Sequence, residues 1–124
     1  MRTIVVFCAL LLLGGGLLLW RQFRMPNVYG AFTDAPKVEV AELIAHPDDY
    51  LQKTILLEDI VRDQCEAMGC YFYFFAGTNS IKVDLADIAM HAPKKKDGHV
   101  ARVEGRIMPD NSDYVFWASA VEFK

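Results

Sequence analysis

The fold is decided by residues 71–85, which read Tyr-Phe-Tyr-Phe-Phe-Ala-Gly-Thr-Asn-Ser-Ile-Lys-Val-Asp-Leu. The first five residues are all aromatic, so both faces of a strand formed here would carry rings. Gly77-Thr78-Asn79 supplies turn-forming residues, and the apolar and polar residues after it alternate strictly, as in a strand with one buried face. The stretch therefore predicts a β-hairpin with one face in the core. We expect the other face, with Tyr71, Tyr73 and Phe75, to contact a protein partner.

Further strands are predicted on both sides of this hairpin. Residues 54–63 are β-branched and apolar, and their alternation slips at Glu58-Asp59, as in a bulged strand. Residues 101–107 alternate, and 114–123 form a last apolar strand, whereas 84–91 can form a short helix. Five strands with a helix between the third and the fourth are typical of the OB barrel. The prediction is thus a mainly β fold, a five-stranded OB-like barrel with short helices.

An N-terminal membrane anchor is predicted over residues 1–24, so that this barrel is preceded by one transmembrane helix. From Ile4 to Trp20 no residue is charged, and a helix of this length spans about 26 Å, near the lower limit for crossing the hydrocarbon. No small-residue cleavage site follows Trp20, which favours an uncleaved anchor over a signal peptide. Residues 3–20 are therefore expected to contact the membrane, although the arginines on both sides of them do not set the orientation.

The rest of the chain divides into a linker and one domain. Residues 25–36 contain prolines and a glycine without a sustained period, which predicts a juxtamembrane linker. Residues 37–124 form the predicted barrel domain. This domain begins with a short amphipathic helix over 38–45, which ends at His46-Pro47 because the residue before a proline avoids the helical region.

Four short stretches are informative together. In chain order they are Glu42-Leu43-Ile44-Ala45-His46-Pro47 with Tyr50, Lys53-Thr54, Cys65-Glu66-Ala67-Met68-Gly69-Cys70-Tyr71-Phe72 and Val103-Glu104-Gly105. This order resembles a family of small bacterial OB-fold proteins that carry a Cys-x-x-Met-Gly-Cys-aromatic loop and whose function is uncharacterised. By fold they are similar to the tRNA-anticodon-binding-like superfamily. The resemblance covers roughly residues 37–124 and implies an OB fold and an exported barrel.

Cys65 and Cys70 form a close pair that is open to three interpretations. A four-residue gap with a glycine can bring both sulfurs together, and a structural disulfide suits a small domain in an oxidising compartment. Alternatively, the two thiolates and the Met68 thioether suit Cu(I), or they could supply an axial position to haem. A thiol-disulfide redox pair is the third reading, although reactive pairs usually have two intervening residues. In the leading interpretation the protein needs no cofactor.

Charge and motifs exclude several classes of function. The net charge of −3 and the pI near 5.5 argue against nucleic acid as a partner, because such proteins need a basic face. No Ser-His-Asp pattern, phosphate loop or paired carboxylates can be identified, so we do not expect an enzyme.

The leading hypothesis from the sequence is an accessory or binding module. A single-pass anchor would hold it in a bacterial inner membrane, with the C-terminal domain in the periplasm, a location that the cysteine pair and the resemblance favour. The barrel would dock on a larger membrane or periplasmic assembly. A copper or haem carrier and a thiol-disulfide redox partner are the alternatives.

Overall fold

A computed structural model describes residues 27–66, 70–89, 93 and 95–124. This part of the chain is mainly β. Its elements are β1 (Val28–Gly30), α1 (Val40–Ala45), a 3-10 helix (Pro47–Tyr50), β2 (Ile55–Ile60), β3 (Tyr71–Ala76), β4 (Asn79–Asp84), β5 (Val100–Asp110) and β6 (Asp113–Phe123). Within these residues, no helix is both long enough and apolar enough to span a membrane. The predicted anchor over residues 1–24 lies outside the described residues.

The six strands form one sheet in the order β2-β5-β6-β4-β3, with β1 added at β6. The β4–β6 pair is parallel, and the other pairs are antiparallel. The predicted hairpin is confirmed, since β3 and β4 pair throughout, from Tyr71 opposite Asp84 to Ala76 opposite Asn79. Gly77 makes its turn possible because it has a φ of +64°, a backbone conformation in which a Cβ is crowded.

The strands at the two ends of this order approach each other just beyond β2. Arg62 and Tyr73 exchange two backbone hydrogen bonds, of 3.0 Å and 2.8 Å, and the Cys65 amide donates to the Tyr71 carbonyl at 2.9 Å. The chain after β2 is therefore bonded to β3, and the cysteine loop starts at this junction.

The predicted bulge is placed wrongly. Residues 55–60 of β2 pair with β5 without interruption, whereas the register of β5 against β6 shifts between Glu104 and Gly105. A Cβ on Gly105 would lie 2.2 Å from the Trp117 carbonyl oxygen, so the two backbones approach as closely as they do only because this residue has no side chain. The slip in alternation at Glu58-Asp59 leaves both side chains partly exposed and does not disturb the pairing.

The core lies on the concave side of the sheet and is closed by α1. Phe72, Phe74 and Phe116 are fully buried, and α1 adds the buried side chains of Val40 and Leu43. α1 packs against β2, β3 and β4 and therefore covers the core on this side of the sheet. Each fully buried side chain of this size contributes about 1.5 to 3 kcal/mol by removal of apolar surface from water.

The helix expected over 84–91 is not present in its described residues. Asp84 ends β4, and the next residues form a turn in which the Asp84 carboxylate accepts a hydrogen bond from the Ala86 amide at 2.8 Å. Residues 90–92 lie outside the described part. The hydrogen bond from the Ala86 amide closes this turn without a helix.

In the predicted linker over 25–36, the described residues are attached to the sheet. Val28 to Gly30 pair with β6, and the Phe123 amide donates to the Asn27 carbonyl at 2.9 Å. Further along, the amides of Thr33 and Ala35 donate to the Glu104 carboxylate. We call residues 27–36 the strap. It belongs to the folded unit and does not act as a flexible spacer.

Candidate functional site

The outer side of the β3–β4 hairpin carries a row of aromatic rings. Along β3 the side chains alternate, so Phe72 and Phe74 are buried while Tyr71, Tyr73 and Phe75 are half-buried on the opposite face. The rings of Tyr71 and Tyr73 meet edge to face with their centroids 6.1 Å apart. These three rings are the contact surface expected from the sequence, and the structure places them together.

Two cations lie over these rings. The Lys82 ammonium is 4.5 Å from the centroid of Tyr71, and the Arg62 guanidinium is 5.6 Å from that of Phe75. Both distances are within the range of cation–π attraction. We call these five residues the aromatic face.

Arg62 and Lys82 bring two positive charges to the aromatic face of an acidic protein. In the part of the chain that the structure describes, the ion pairs are made by Arg102 and Lys124, and neither Arg62 nor Lys82 takes part in one. The acid nearest to it on β4, Asp84, is occupied by the Ala86 amide. Sequence interpretation found no arginine among these rings, because Arg62 reaches them only through its pairing with Tyr73. Lys82 could have been found, since the hairpin register places it opposite Tyr73.

The cysteine pair borders the aromatic face. Cys70 directly precedes β3, where its carbonyl accepts from the Leu85 amide at 2.8 Å, and the backbone of Cys65 is bonded to Tyr71. The predicted disulfide is not present between these two residues. Their side chains are in hydrogen-bonding contact instead, and the register sets Cys65 opposite Tyr71, one residue beyond Cys70.

The pKa values of Cys70 and Tyr71 are both raised. Burial, together with the contact to Cys65, raises the pKa of Cys70 above its ordinary value. Cys65 also raises the pKa of Tyr71, through its charge and a hydrogen bond, with burial adding to the effect. Since the thiolate is the reactive form of cysteine, the raised pKa makes Cys70 less readily ionised than an ordinary cysteine.

The alternative metal site is not assembled by the described residues. Met68 lies outside them, as do its two neighbours. Within the described part, no group of three or more His, Cys, Asp or Glu side chains is placed to hold a metal ion. The Cu(I) and haem readings thus stay predictions from the sequence.

Gln64 holds the chain after β2 against the β4–β5 connection. Its side-chain amide donates to the Pro93 carbonyl at 2.7 Å and accepts from the Lys96 amide at 2.8 Å, and its own backbone amide donates to Asp97 at 3.0 Å. The side chain is buried, so these bonds satisfy it fully. Sequence interpretation missed Gln64, because only the fold brings the two loops together.

The alternation of residues 101–107 places Glu104 on the outer face of β5, but its side chain is only 1% exposed. Its carboxylate accepts hydrogen bonds from the Thr33 amide at 3.0 Å, from the Thr33 hydroxyl and from the Ala35 amide at 3.4 Å. Burial opposes its ionisation, but these bonds and the charge of Arg102 outweigh burial and lower the pKa of Glu104. The register shift leaves Ser119 of β6 without a partner, whereas the alternation of β5 continues through Glu104. The strap covers this outward-facing side chain, and the sequence pattern gives no sign of that cover.

Comparison with protein-family models gives no match, and no curated protein is similar to the chain at a significant level. Neither comparison gives any indication of catalysis.

Proposed function

We propose that this protein is a membrane-anchored accessory module of a larger periplasmic or inner-membrane assembly, and that it docks through the aromatic face. The observation that carries the proposal is that Tyr71, Tyr73 and Phe75 stand outside the core beside Arg62 and Lys82, which form no ion pair with any residue that the structure describes. Exposed aromatic side chains with arginine are enriched where proteins bind one another. Residues 1–24 would be the anchor and the periplasm the compartment, as the apolar run and the resemblance imply.

In this proposal the domain is a closed five-stranded barrel of the OB type, made by β2 to β6. The strand order, the parallel β4–β6 pair and the backbone bonds between Arg62 and Tyr73 support it, because they link each end of the order to the other. In an OB barrel the second and third strands form the binding face. These are β3 and β4 here, which carry most of the aromatic face.

The partner surface is inferred from the chemistry of this face. Arg62 and Lys82 favour acidic side chains, and the three rings favour apolar or aromatic contacts. We therefore propose a protein partner whose surface combines carboxylates with apolar groups. The basic patch is small, and the chain as a whole is acidic, which is why the proposal remains a protein rather than a nucleic acid.

The strap supports a location close to the membrane. It attaches to the sheet from Asn27 onward, and three chain steps separate residue 24 from residue 27. Each step spans at most about 3.8 Å, so an anchor ending at residue 24 would hold the barrel within roughly 11 Å of its own end. A partner within the same membrane assembly is in reach of such a domain.

The proposal is tested by site-specific crosslinking in native cells. A photoreactive amino acid at Tyr73 should crosslink to one protein, whereas the same amino acid at the exposed Ser112, in the β5–β6 turn, should not. Lys82→Glu should abolish the Tyr73 crosslink, and Lys53→Glu, an exposed lysine elsewhere, should leave it unchanged. The proposal is wrong if no crosslink forms at Tyr73 or if Lys82→Glu has no effect on it.

A second candidate, a thiol-disulfide exchange partner, is favoured by the contact between the Cys65 and Cys70 thiols. In the exchange, a partner protein's disulfide accepts two electrons and two protons and becomes a dithiol, while a sulfur–sulfur bond forms between Cys65 and Cys70. Equilibration in glutathione buffers followed by thiol labelling measures this directly. A pair that stays reduced or stays oxidised over the whole range would exclude the exchange role.

A further inference from the structure

A groove of about 530 Å³ lies on the outer side of β5 and β6. The strap forms one wall of it, through Ala31 and Thr33. The opposite side is formed by outward-facing residues of β5 and β6, among them Arg106 and Trp117. A groove of this volume is within the range of small-ligand sites.

Arg106 supplies an accessible positive charge. Its Nε donates to the Thr54 hydroxyl at 3.3 Å, and it belongs to none of the ion pairs in the described part of the chain. The other charged residue along the groove, Glu104, is 1% exposed, and its oxygens already accept bonds from Thr33 and Ala35. An incoming ligand therefore meets the guanidinium and not the carboxylate.

Apolar surface adjoins this charge. Trp117 is the cross-strand partner of Arg106, and its ring is fixed because Nε1 donates to the Asp87 carboxylate at 2.6 Å. Met108, two residues along the same face of β5, is 46% exposed. One cation, one oriented indole and one flexible thioether thus face the same space.

We propose that this groove binds a carboxylate attached to an apolar group. The Arg106 guanidinium pairs with the carboxylate through its two free nitrogen atoms, which is the strongest geometry available to an arginine. The apolar group lies on Trp117 and Met108. Two sources present this chemistry, the last residue of a peptide chain with a large apolar side chain and a free apolar carboxylic acid.

The test uses the fluorescence of Trp117 in the full chain, in detergent and with Trp20→Phe, since these are the two tryptophans of the sequence. The probes are N-acetylleucine and the peptide acetyl-Gly-Ser-Gly-Leu, each compared with its own amide. We expect a saturable change with the acids and a loss of at least about tenfold in affinity with the amides. Saturation by the peptide alone assigns the site to chain ends, and saturation by both acids assigns it to the carboxylate and its apolar group.

Two variants connect the binding to the groove. Arg106→Gln and Met108→Glu both change exposed side chains and should each weaken acid binding about tenfold or more. Arg62→Gln, an exposed arginine on the aromatic face, is the matched control and should have no effect. The inference is overturned if no acid binds at millimolar concentration, if acid and amide bind alike, or if Arg106→Gln binds like the parent. The Tyr73 crosslink reports separately on the aromatic face.

Discussion

The β3–β4 hairpin and the junction between the strap and β5 are built in opposite ways. In the hairpin, each side chain faces the core or the solvent according to its place in the alternation, and the partners are close in sequence. At the junction, Glu104 also lies on the face that the alternation of β5 indicates, but it is buried because residues 69 and 71 positions away bond to it. A period of two therefore predicts which face of the sheet a side chain lies on, whereas its burial depends on the distant segment that covers that face.

The largest effect should come from the core side of the hairpin. Phe74→Ala removes a fully buried ring and should lower the free energy of unfolding by about 4 kcal/mol. Phe75→Ala, one residue along on the outer face, should cost about 1 kcal/mol or less, because the ring is only half-buried. Urea unfolding of the full chain in detergent measures both. Equal losses from the two would show that the faces of β3 are not distinct.

Glycine substitutions extend the comparison to the junction. Gly105→Ala puts a methyl group 2.2 Å from the Trp117 carbonyl oxygen, a backbone atom that cannot rotate away, and should cost about 3 kcal/mol. Gly77→Ala in the hairpin turn meets open space and should cost about 1 kcal/mol, from its positive φ alone. The same unfolding experiment compares them, and a milder effect at Gly105 than at Gly77 would contradict the close approach described here.

The carboxylate at the junction should make stability depend on pH. Because the pKa of Glu104 is lowered in the folded protein, its contribution is complete above the unfolded pKa and is lost as the pH falls through the folded value. Glu104→Gln should cost about 2 kcal/mol at pH 7, since an amide cannot accept all the bonds from Thr33 and Ala35.

Comparing the parent protein with Glu104→Gln at several pH values separates the effect of the Glu104 charge from the effect of its packing. Between about pH 5 and pH 3 the parent protein should lose more stability than Glu104→Gln, so that their melting temperatures converge. Parallel curves would mean that the bonds to the strap do not depend on ionisation.

The smallest effect is expected at the surface ion pairs of the β2–β5–β6 region. Arg102 lies 3.5 Å from Glu58 and 3.6 Å from Glu122, with all three side chains about one-third exposed. Arg102→Gln should therefore cost less than about 1 kcal/mol, and salt should reduce even that. A loss as large as that of Glu104→Gln would show that exposed pairs, and not the buried carboxylate, stabilise this side of the sheet.

The local pattern of apolar, polar and turn-forming residues predicted much of the fold. Alternation and the turn at Gly77 predicted the hairpin, and the same pattern indicated the inward and outward faces of β3 correctly. The strap was missed because β1 has three residues, too few for a period to be visible. The helix over 84–91 was favoured by its ending at a proline, but the Asp84 carboxylate bonds to the Ala86 amide and forms a turn there instead.

The candidate site was predictable only in part. The rings of the aromatic face follow from the alternation in β3, but Arg62 joins them through a tertiary contact and has no local signal. The partners of Gln64, Glu104 and Arg106 lie in distant segments, which are the β4–β5 connection, the strap and the residue before β2. The disulfide was predicted from the number of residues between the two cysteines. That number does not show the backbone register, which sets Cys65 opposite Tyr71.

The backbone hydrogen bond between Asn27 and Phe123 affects how far from a membrane anchor the parts of the domain can lie. It places the entry of the chain into the domain and the end of β6 at one base, from which the β5–β6 hairpin extends to its turn at Asn111. Eleven residues of strand at about 3.3 Å each give an arm of roughly 35 Å. A label fused after Lys124 would report on the position of the base, beside any anchor. A label inserted at the Asn111 turn would report on the distance of that turn from the base.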